Sequence, residues 1–121
     1  MPAIADQRLL RQGLIKPPFR TPAEVVAALG AIQAQDYPAA LWALGLRLPE
    51  TTGPVIEQTI TDGAVIRTWL MRGTLHCVTA GDGRWRLDRF APGILAGSAR
   101  RYRELELDEA TLAHSSRLIE T

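Results

Sequence analysis

Cysteine and histidine are scarce in this sequence, and their scarcity excludes several kinds of site. The one cysteine, Cys77, has no partner for an internal disulfide and cannot form a cysteine cluster for structural zinc. The two histidines lie on no histidine-carboxylate metal helix, and neither a Walker loop nor a dinucleotide-binding glycine fingerprint occurs. We therefore expect a protein that uses neither a metal ion nor an organic cofactor.

Long apolar runs are also missing from the sequence. No stretch approaches the roughly 20 apolar residues of a membrane span, and the N-terminus lacks the basic start and apolar core of a signal peptide. We expect a cytoplasmic protein without membrane contact. The 121 residues, 46% of them hydrophobic and 22% charged, suffice for one globular domain with its own core.

Lysine occurs once, as Lys16, so nearly all of the positive charge is carried by arginine. Guanidinium groups suit bidentate contacts with phosphate better than ammonium groups do. The net charge is only +1, yet one stretch is strongly basic against the single acid Asp88. A DNA-facing surface and a solvated helical face both remain open for this stretch. Its arginines are Arg84, Arg86, Arg89, Arg100, Arg101 and Arg103.

Hydrophobic spacing and capping residues predict four helices in the first half of the chain. The second is the best marked, because Thr21 can cap it and Pro22 suits its first turn. Its apolar stripe continues to Ile32, which places Gln33 at the end of the helix. The four helices are expected at residues 5–14, from 21 to the glutamines at 33–35, at 37–48 and at 54–62.

The period of the pattern then changes. Residues 65–70 and 74–78 are rich in β-branched and aromatic residues and predict a hairpin with Arg72 at its tip. A helix is expected at 82–90, stopped by Pro92 and the glycine after it, with further helical stretches at 94–102 and from about 107 onward. The last pattern has no stop signal, and we expect the chain to belong to a longer protein.

Several short helices followed by a two-stranded hairpin form the layout of a winged-helix module. We predict a mainly α fold with a small β-hairpin, of the winged-helix (helix-turn-helix) type. The winged-helix domain is expected over residues 1–80, and a helical connector with the truncated start of a second domain over 81–121. Because such modules contact DNA with helices and hairpin, this layout favours DNA binding.

Two glutamines separated by one alanine, Gln33 and Gln35, are the candidate reactive groups, and Asp36 follows them. Positions two apart on a helix point to nearly opposite sides. The two amides can therefore serve one cleft only if the helix ends or tightens between them. The alternative is that they are solvated, or that they bind loose backbone groups at a helix end.

The hairpin contains the one histidine of interest. Strand alternation places His76 and Cys77 on opposite faces, so they cannot share a metal ion. We expect His76 to be a hydrogen-bonded structural residue or a residue that faces nucleic acid, because no acid or nucleophile is held beside it by spacing.

Three segments resemble the N-terminal portion of the bacterial AlkZ/YcaQ-type DNA glycosylases in order and spacing. They are Arg8-Leu9-Leu10-Arg11-Gln12-Gly13-Leu14, Ala31-Ile32-Gln33-Ala34-Gln35 and Arg67-Thr68-Trp69-Leu70-Met71-Arg72-Gly73-Thr74-Leu75-His76. The resemblance implies tandem winged-helix domains that form a cradle around duplex DNA. It implies removal of N7-alkylated purines, including those joined in interstrand crosslinks, by a Gln-apolar-Gln or Gln-apolar-Asp element at the glycosidic bond.

The Gln-apolar-Gln element of that family maps onto Gln33 and Gln35, with Ala34 smaller than the methionine or branched residue expected between them. On this basis we hypothesise that Gln35 positions the attacking water, that Gln33 fixes the nucleotide, and that Asp36 gives electrostatic help. Candidate contacts to double-stranded DNA are Arg72, His76, Arg84, Arg86, Arg89, Arg100 and Arg101.

Other classes of function predict different behaviour. A non-catalytic winged-helix regulator would use the same arginines and would tolerate replacement of Gln33 and Gln35. A plain interaction domain would show no salt-dependent affinity for DNA. We expect glycosylase activity from the intact parent protein, and DNA binding without full activity from these 121 residues alone.

Overall fold

The computed structural model describes residues 3–120 and places them in helices packed around a small sheet. The helices are α1 (Ile4–Arg11), α2 (Pro22–Leu29), α3 (Tyr37–Gly45), α4 (Gly53–Thr61), α5 (Ala80–Gly97), α6 (Ala99–Glu104) and α7 (Glu109–Ile119). The strands are β1 (Ile32–Gln33), β2 (Val65–Trp69) and β3 (Leu75–Thr79). A short 3-10 turn, Met71–Gly73, joins β2 to β3.

The sheet has the order β1-β3-β2, and both of its pairings are antiparallel. Arg67 lies opposite Cys77, which in turn lies opposite Ile32. The neighbouring row contains Gln33, His76 and Thr68. Because directly opposed residues project from the same face of a sheet, each row marks one face.

Helices cover both faces of the hairpin. One face packs against α2 and α4 and contributes Val65 and Cys77 to the main core, which also contains Val25, Val26 and Leu44. The other face packs against α5. There Gly83 lies against the side chains of Ile66 and Val78, so α5 approaches the sheet through a residue without a side chain.

The predicted hairpin is confirmed, but the expected helix end at the glutamines is wrong. Helix α2 ends at Leu29, and Gly30 follows it with a φ of 80°. This left-handed conformation suits glycine and stops the helix. The next residues are extended because Ile32 and Gln33 pair with β3.

The predicted stop at Pro92 is also wrong. Pro92 lies inside α5, which continues to Gly97. A proline lacks one N–H donor and therefore removes one bond of the helix, while the remaining bonds can still form. The capped start of the last helix is confirmed, since Asp108 accepts a hydrogen bond from the Thr111 N–H at 2.7 Å.

The first helix carries the expected leucines but does not bury them. Leu9 and Leu10 are 39% and 42% exposed, and no described residue of α1 is buried. Among residues 3–120, no helix is both long and apolar enough to cross a membrane. The arrangement as a whole is mainly helical with a small antiparallel sheet, consistent with a winged-helix-like fold.

The core generates a stability prediction from two leucines near the end of α3. Leu44 is fully buried and Leu46 is 50% exposed. Leu44→Ala should lower the free energy of unfolding by about 2–5 kcal/mol because it leaves a cavity. Leu46→Ala should lower it by less than about 1 kcal/mol. Urea denaturation measures both values, and equal losses would contradict the described core.

Candidate active site

Gln33 is the last residue of β1, and Gln35 lies in the bend that follows this strand. Gln33 is exposed, Ala34 is fully buried in the core and Gln35 is exposed. A helix would place residues two apart on nearly opposite sides, but this segment is a strand end followed by a bend. The two amides can therefore face one cleft without a helix end between them. The small middle residue is also explained, because Ala34 packs between the sheet and the core.

The side chain of Gln35 is held by the sheet. Its Oε1 accepts a hydrogen bond from the backbone N–H of Leu75 at 3.0 Å. Since a backbone N–H can only donate, this bond fixes which side of the amide is oxygen and which is NH2. The amide of Gln33 makes no hydrogen bond within the part of the chain that the structure describes, residues 3–120.

Arg67 holds the backbone of the same segment. Its Nε donates to the Ala34 carbonyl at 2.9 Å, and its Nη2 donates to the Gln35 carbonyl at 3.3 Å. Its guanidinium also lies 5.4 Å from the centre of the Tyr37 ring. Arg67 was not among the site residues predicted from the sequence. One signal was available in the sequence. Arg67 lies two positions after buried Val65 in the same strand, so a charged residue is expected on the face that packs against the core.

Asp36 caps α3. Its Oδ1 accepts a hydrogen bond from the Ala39 N–H at 3.0 Å, and Pro38 lies in the first turn of the helix. An aspartate at this position satisfies a backbone donor that has no partner inside the helix. The carboxylate therefore has a structural task beside any electrostatic one.

His76 is 3% exposed, and its Nδ1 donates to the Thr74 carbonyl at 2.9 Å. A ring buried in this way has no surface to offer to DNA, so we do not retain His76 as a DNA contact. Cys77 is fully buried on the opposite face. Burial raises the pKa of its thiol, and the positive charge of Arg67 acts in the opposite direction.

Arg86 is a packing residue rather than an open cation. Its side chain is 17% exposed, its Nη2 lies 3.2 Å from Asp82, and its guanidinium stacks 4.6 Å from the Trp85 ring centre. Hydrogen bonds from Trp85 and Arg86 lower the pKa of the Asp82 carboxyl. These contacts hold the Arg86 side chain along its own helix, α5, so we do not retain it as a DNA contact either.

Five predicted DNA contacts are exposed, and three of them pair with acids on their own helix. The side chain of Arg84 lies 3.4 Å from Asp88, and Glu104 pairs with two arginines at 2.9 and 3.3 Å. Exposed pairs of this kind contribute little to stability, so phosphate can replace the acid at small cost. The five exposed arginines are Arg72, Arg84, Arg89, Arg100 and Arg101.

The basic residues do not lie on the helix that precedes the hairpin. Helix α4 has the sequence Gly-Pro-Val-Ile-Glu-Gln-Thr-Ile-Thr, without arginine or lysine. The five exposed arginines among the predicted DNA contacts lie instead on the hairpin tip, α5 and α6. Phosphate attraction therefore favours DNA contact by these later elements.

Arg72 lies at the hairpin tip, as predicted, with a φ of 59°. Together with Trp69 it lines one side of an open cavity of about 830 Å³, and Phe90 and Tyr102 line the other. No cluster of three or more histidine, cysteine, aspartate or glutamate side chains placed to hold a metal ion occurs among residues 3–120.

Fold and site together describe a small, mainly helical domain whose sheet end presents two exposed amides. The family model of the AlkZ-like DNA glycosylases matches residues 26–120. The chain belongs to the AlkZ-like DNA glycosylase family.

A solved structure, the DNA glycosylase AlkZ of Streptomyces sahachiroi, resembles the chain with a TM-score of 0.53 and 30% sequence identity. The match covers 65% of this chain and 22% of the Streptomyces protein, so the chain spans about a fifth of that structure's length. No curated protein matches the chain.

Two variants of Asp36 separate the effect of its capping hydrogen bond on stability from the effect of its negative charge. Asp36→Ala should lower the free energy of unfolding by about 0.5–2 kcal/mol, because the Ala39 N–H loses its acceptor. Asp36→Asn should stay within about 0.5 kcal/mol of the wild type, since asparagine caps equally well. Thermal denaturation compares the two variants, and a large loss in Asp36→Asn would show that the charge itself stabilises the segment.

Proposed function

We propose that this chain is a DNA-binding part of a repair glycosylase that hydrolyses the N-glycosidic bond of N7-alkylated purines, including those in interstrand crosslinks. Membership of the AlkZ-like DNA glycosylase family supports a reaction on DNA. We also propose that residues 1–80 act as the winged-helix domain and residues 81–121 as a helical connector leading into a second domain. The match to 22% of the Streptomyces protein supports a role as one part of a larger enzyme.

The observation that carries the proposal is the pair of exposed amides at the end of β1 and in the bend that follows it. Gln35 is oriented by the Leu75 N–H, and Gln33 beside it has an unengaged amide in the described chain. An orientation fixed before substrate binds lowers the entropic cost of reaching the transition state. Two surface glutamines with no fixed orientation would support a catalytic role much less.

The chemistry requires little acid catalysis. The purine ring of an N7-alkylated guanine is positively charged, so the bond between the sugar C1′ and N9 can break with its electron pair going to the base. The base then leaves neutral while positive charge develops on the sugar. A water molecule adds its oxygen to C1′ and releases one proton to solvent, which leaves an abasic sugar.

The two glutamines can divide the remaining work. The Gln35 oxygen uses one lone pair for Leu75 and keeps the second, which can accept a hydrogen bond from the attacking water. Gln33 can place its amide on the sugar or a phosphate oxygen. Fixed amide dipoles directed at a developing oxocarbenium centre stabilise it without reorganisation. Asp36 lies next in the chain and would add negative charge near that centre.

The exposed arginines supply the attraction to duplex DNA in this proposal. Each phosphate contact by a guanidinium releases counterions, so affinity should fall steeply as salt increases. These contacts position the duplex without reading its sequence. The residues are Arg72, Arg84, Arg89, Arg100 and Arg101.

The test is release of N7-methylguanine from duplex DNA, measured in single turnover with the protein in its full natural form. Gln35→Ala should lower the rate by about 100-fold while leaving DNA affinity within about twofold, because the lost amide acts on the water and not on phosphate. The matched control is Gln7→Ala, which removes an exposed glutamine from α1 and should leave the rate unchanged.

An unchanged rate in Gln35→Ala would remove that residue from the chemistry. The alternative function, a non-catalytic winged-helix DNA-binding regulator, is favoured by the hydrogen bond that gives Gln35 a structural task. It predicts salt-sensitive binding without base release by any form of the protein. Binding that does not change with salt would argue against DNA as the partner in either case.

A further inference from the structure

We propose that Arg67 is a positioning residue that keeps the Gln35 amide bonded to the Leu75 N–H and correctly oriented. Its effect on base release rests on the proposed function. Its effect on the Gln35 amide does not, because that effect follows from hydrogen bonds within the chain.

The hydrogen-bond ladder between β1 and β3 is incomplete beside Arg67. The Ala34 N–H donates to the Leu75 carbonyl at 2.8 Å. In an antiparallel pair of this kind the two residues normally exchange a second bond, from the Leu75 N–H to the Ala34 carbonyl. Here that second bond is missing. The Ala34 carbonyl and the Leu75 N–H each bond to a side chain instead.

Arg67 occupies the acceptor of the replaced bond. Its Nε donates to the Ala34 carbonyl at 2.9 Å, so that oxygen is directed at a guanidinium and not at Leu75. The Leu75 N–H then donates to the Gln35 Oε1 at 3.0 Å. The two side-chain bonds depend on each other. The bond from Arg67 to the Ala34 carbonyl leaves the Leu75 N–H without its usual acceptor, and Gln35 supplies one.

The guanidinium is well suited to this exchange. It reaches two successive carbonyls, those of Ala34 and Gln35, and rests 5.4 Å from the Tyr37 ring centre. Its planar fork of several donors can engage both oxygens in one fixed geometry. Lysine has three donors on a flexible stem and would hold the same pair of carbonyls less rigidly.

Without the guanidinium, the Ala34 carbonyl would need a new donor, and the Leu75 N–H is the nearest candidate on its own ladder. Closing that bond would extend β1 by one residue pair. The Gln35 amide would then lose its fixing partner and rotate freely. Arg67 therefore controls whether the glutamine is part of an ordered site or a mobile surface group.

The kinetic test uses single-turnover base release by the protein in its full natural form. Arg67→Met should slow the reaction by at least about tenfold with DNA affinity unchanged, and Arg67→Lys should lie between Arg67→Met and the wild type. If Arg67 acts through Gln35, the double variant Arg67→Met with Gln35→Ala should be no slower than Gln35→Ala alone. Independent, multiplicative losses would overturn the proposal.

The control variant is Arg117→Met, which removes an exposed arginine from α7 and should leave the rate unchanged. Circular dichroism verifies that each variant is folded. If Arg67→Met does not fold, Arg67→Lys carries the test, since it retains the charge and loses the two-carbonyl contact.

A second readout does not depend on catalysis. The ¹⁵N order parameter of the Gln35 side-chain amide should be near 0.8 in the wild type, roughly as in rigid backbone. In Arg67→Met it should fall below about 0.6, as expected for the Gln33 amide in both proteins. A Gln35 amide that stays ordered in Arg67→Met would overturn the proposal. Absence of base release from the wild type would defeat the proposed function while this readout still decides the role of Arg67.

Discussion

The arrangement of the site depends on where backbone pairing between β1 and β3 stops. One ladder bond is made, from the Ala34 N–H to the Leu75 carbonyl. Its antiparallel counterpart is absent, because Arg67 donates to the Ala34 carbonyl and Gln35 accepts from the Leu75 N–H. This single interruption ends the strand, orients one glutamine and leaves the chain free to turn into α3. The core below it holds the interruption in place, because Ala34 and Cys77 are fully buried.

Much of the fold follows from the sequence because local signals there are strong. The β-branched runs around Arg72 specified the hairpin, and capping residues marked the starts of α2 and α7. The strand β1 was not predictable in this way. It has two residues, and it is extended only because it pairs with Cys77 and His76, which lie far along the chain. The continuation of α5 through Pro92 likewise overrides a local stop signal.

The candidate site was predictable in its residue types and not in its geometry. Gln33, Gln35 and Asp36 could be named from the sequence, but the helix end expected at the glutamines lies earlier, at Leu29. Arg67 was missed because its targets are carbonyls 33 and 32 positions away, which leave no trace in side-chain patterns. The sequence also does not reveal that His76 is only 3% exposed and that the Arg86 side chain is only 17% exposed.

The site requires the Leu75 N–H to bond to the Gln35 side chain and not to the Ala34 carbonyl. Scalar coupling across hydrogen bonds, detected in a long-range NMR experiment correlating amide nitrogen with carbonyl carbon, measures this directly. We expect a correlation between the Leu75 nitrogen and the Gln35 side-chain carbonyl carbon. A correlation from the Leu75 nitrogen to the Ala34 carbonyl carbon would contradict it, because the ladder would then be complete and the amide unsupported.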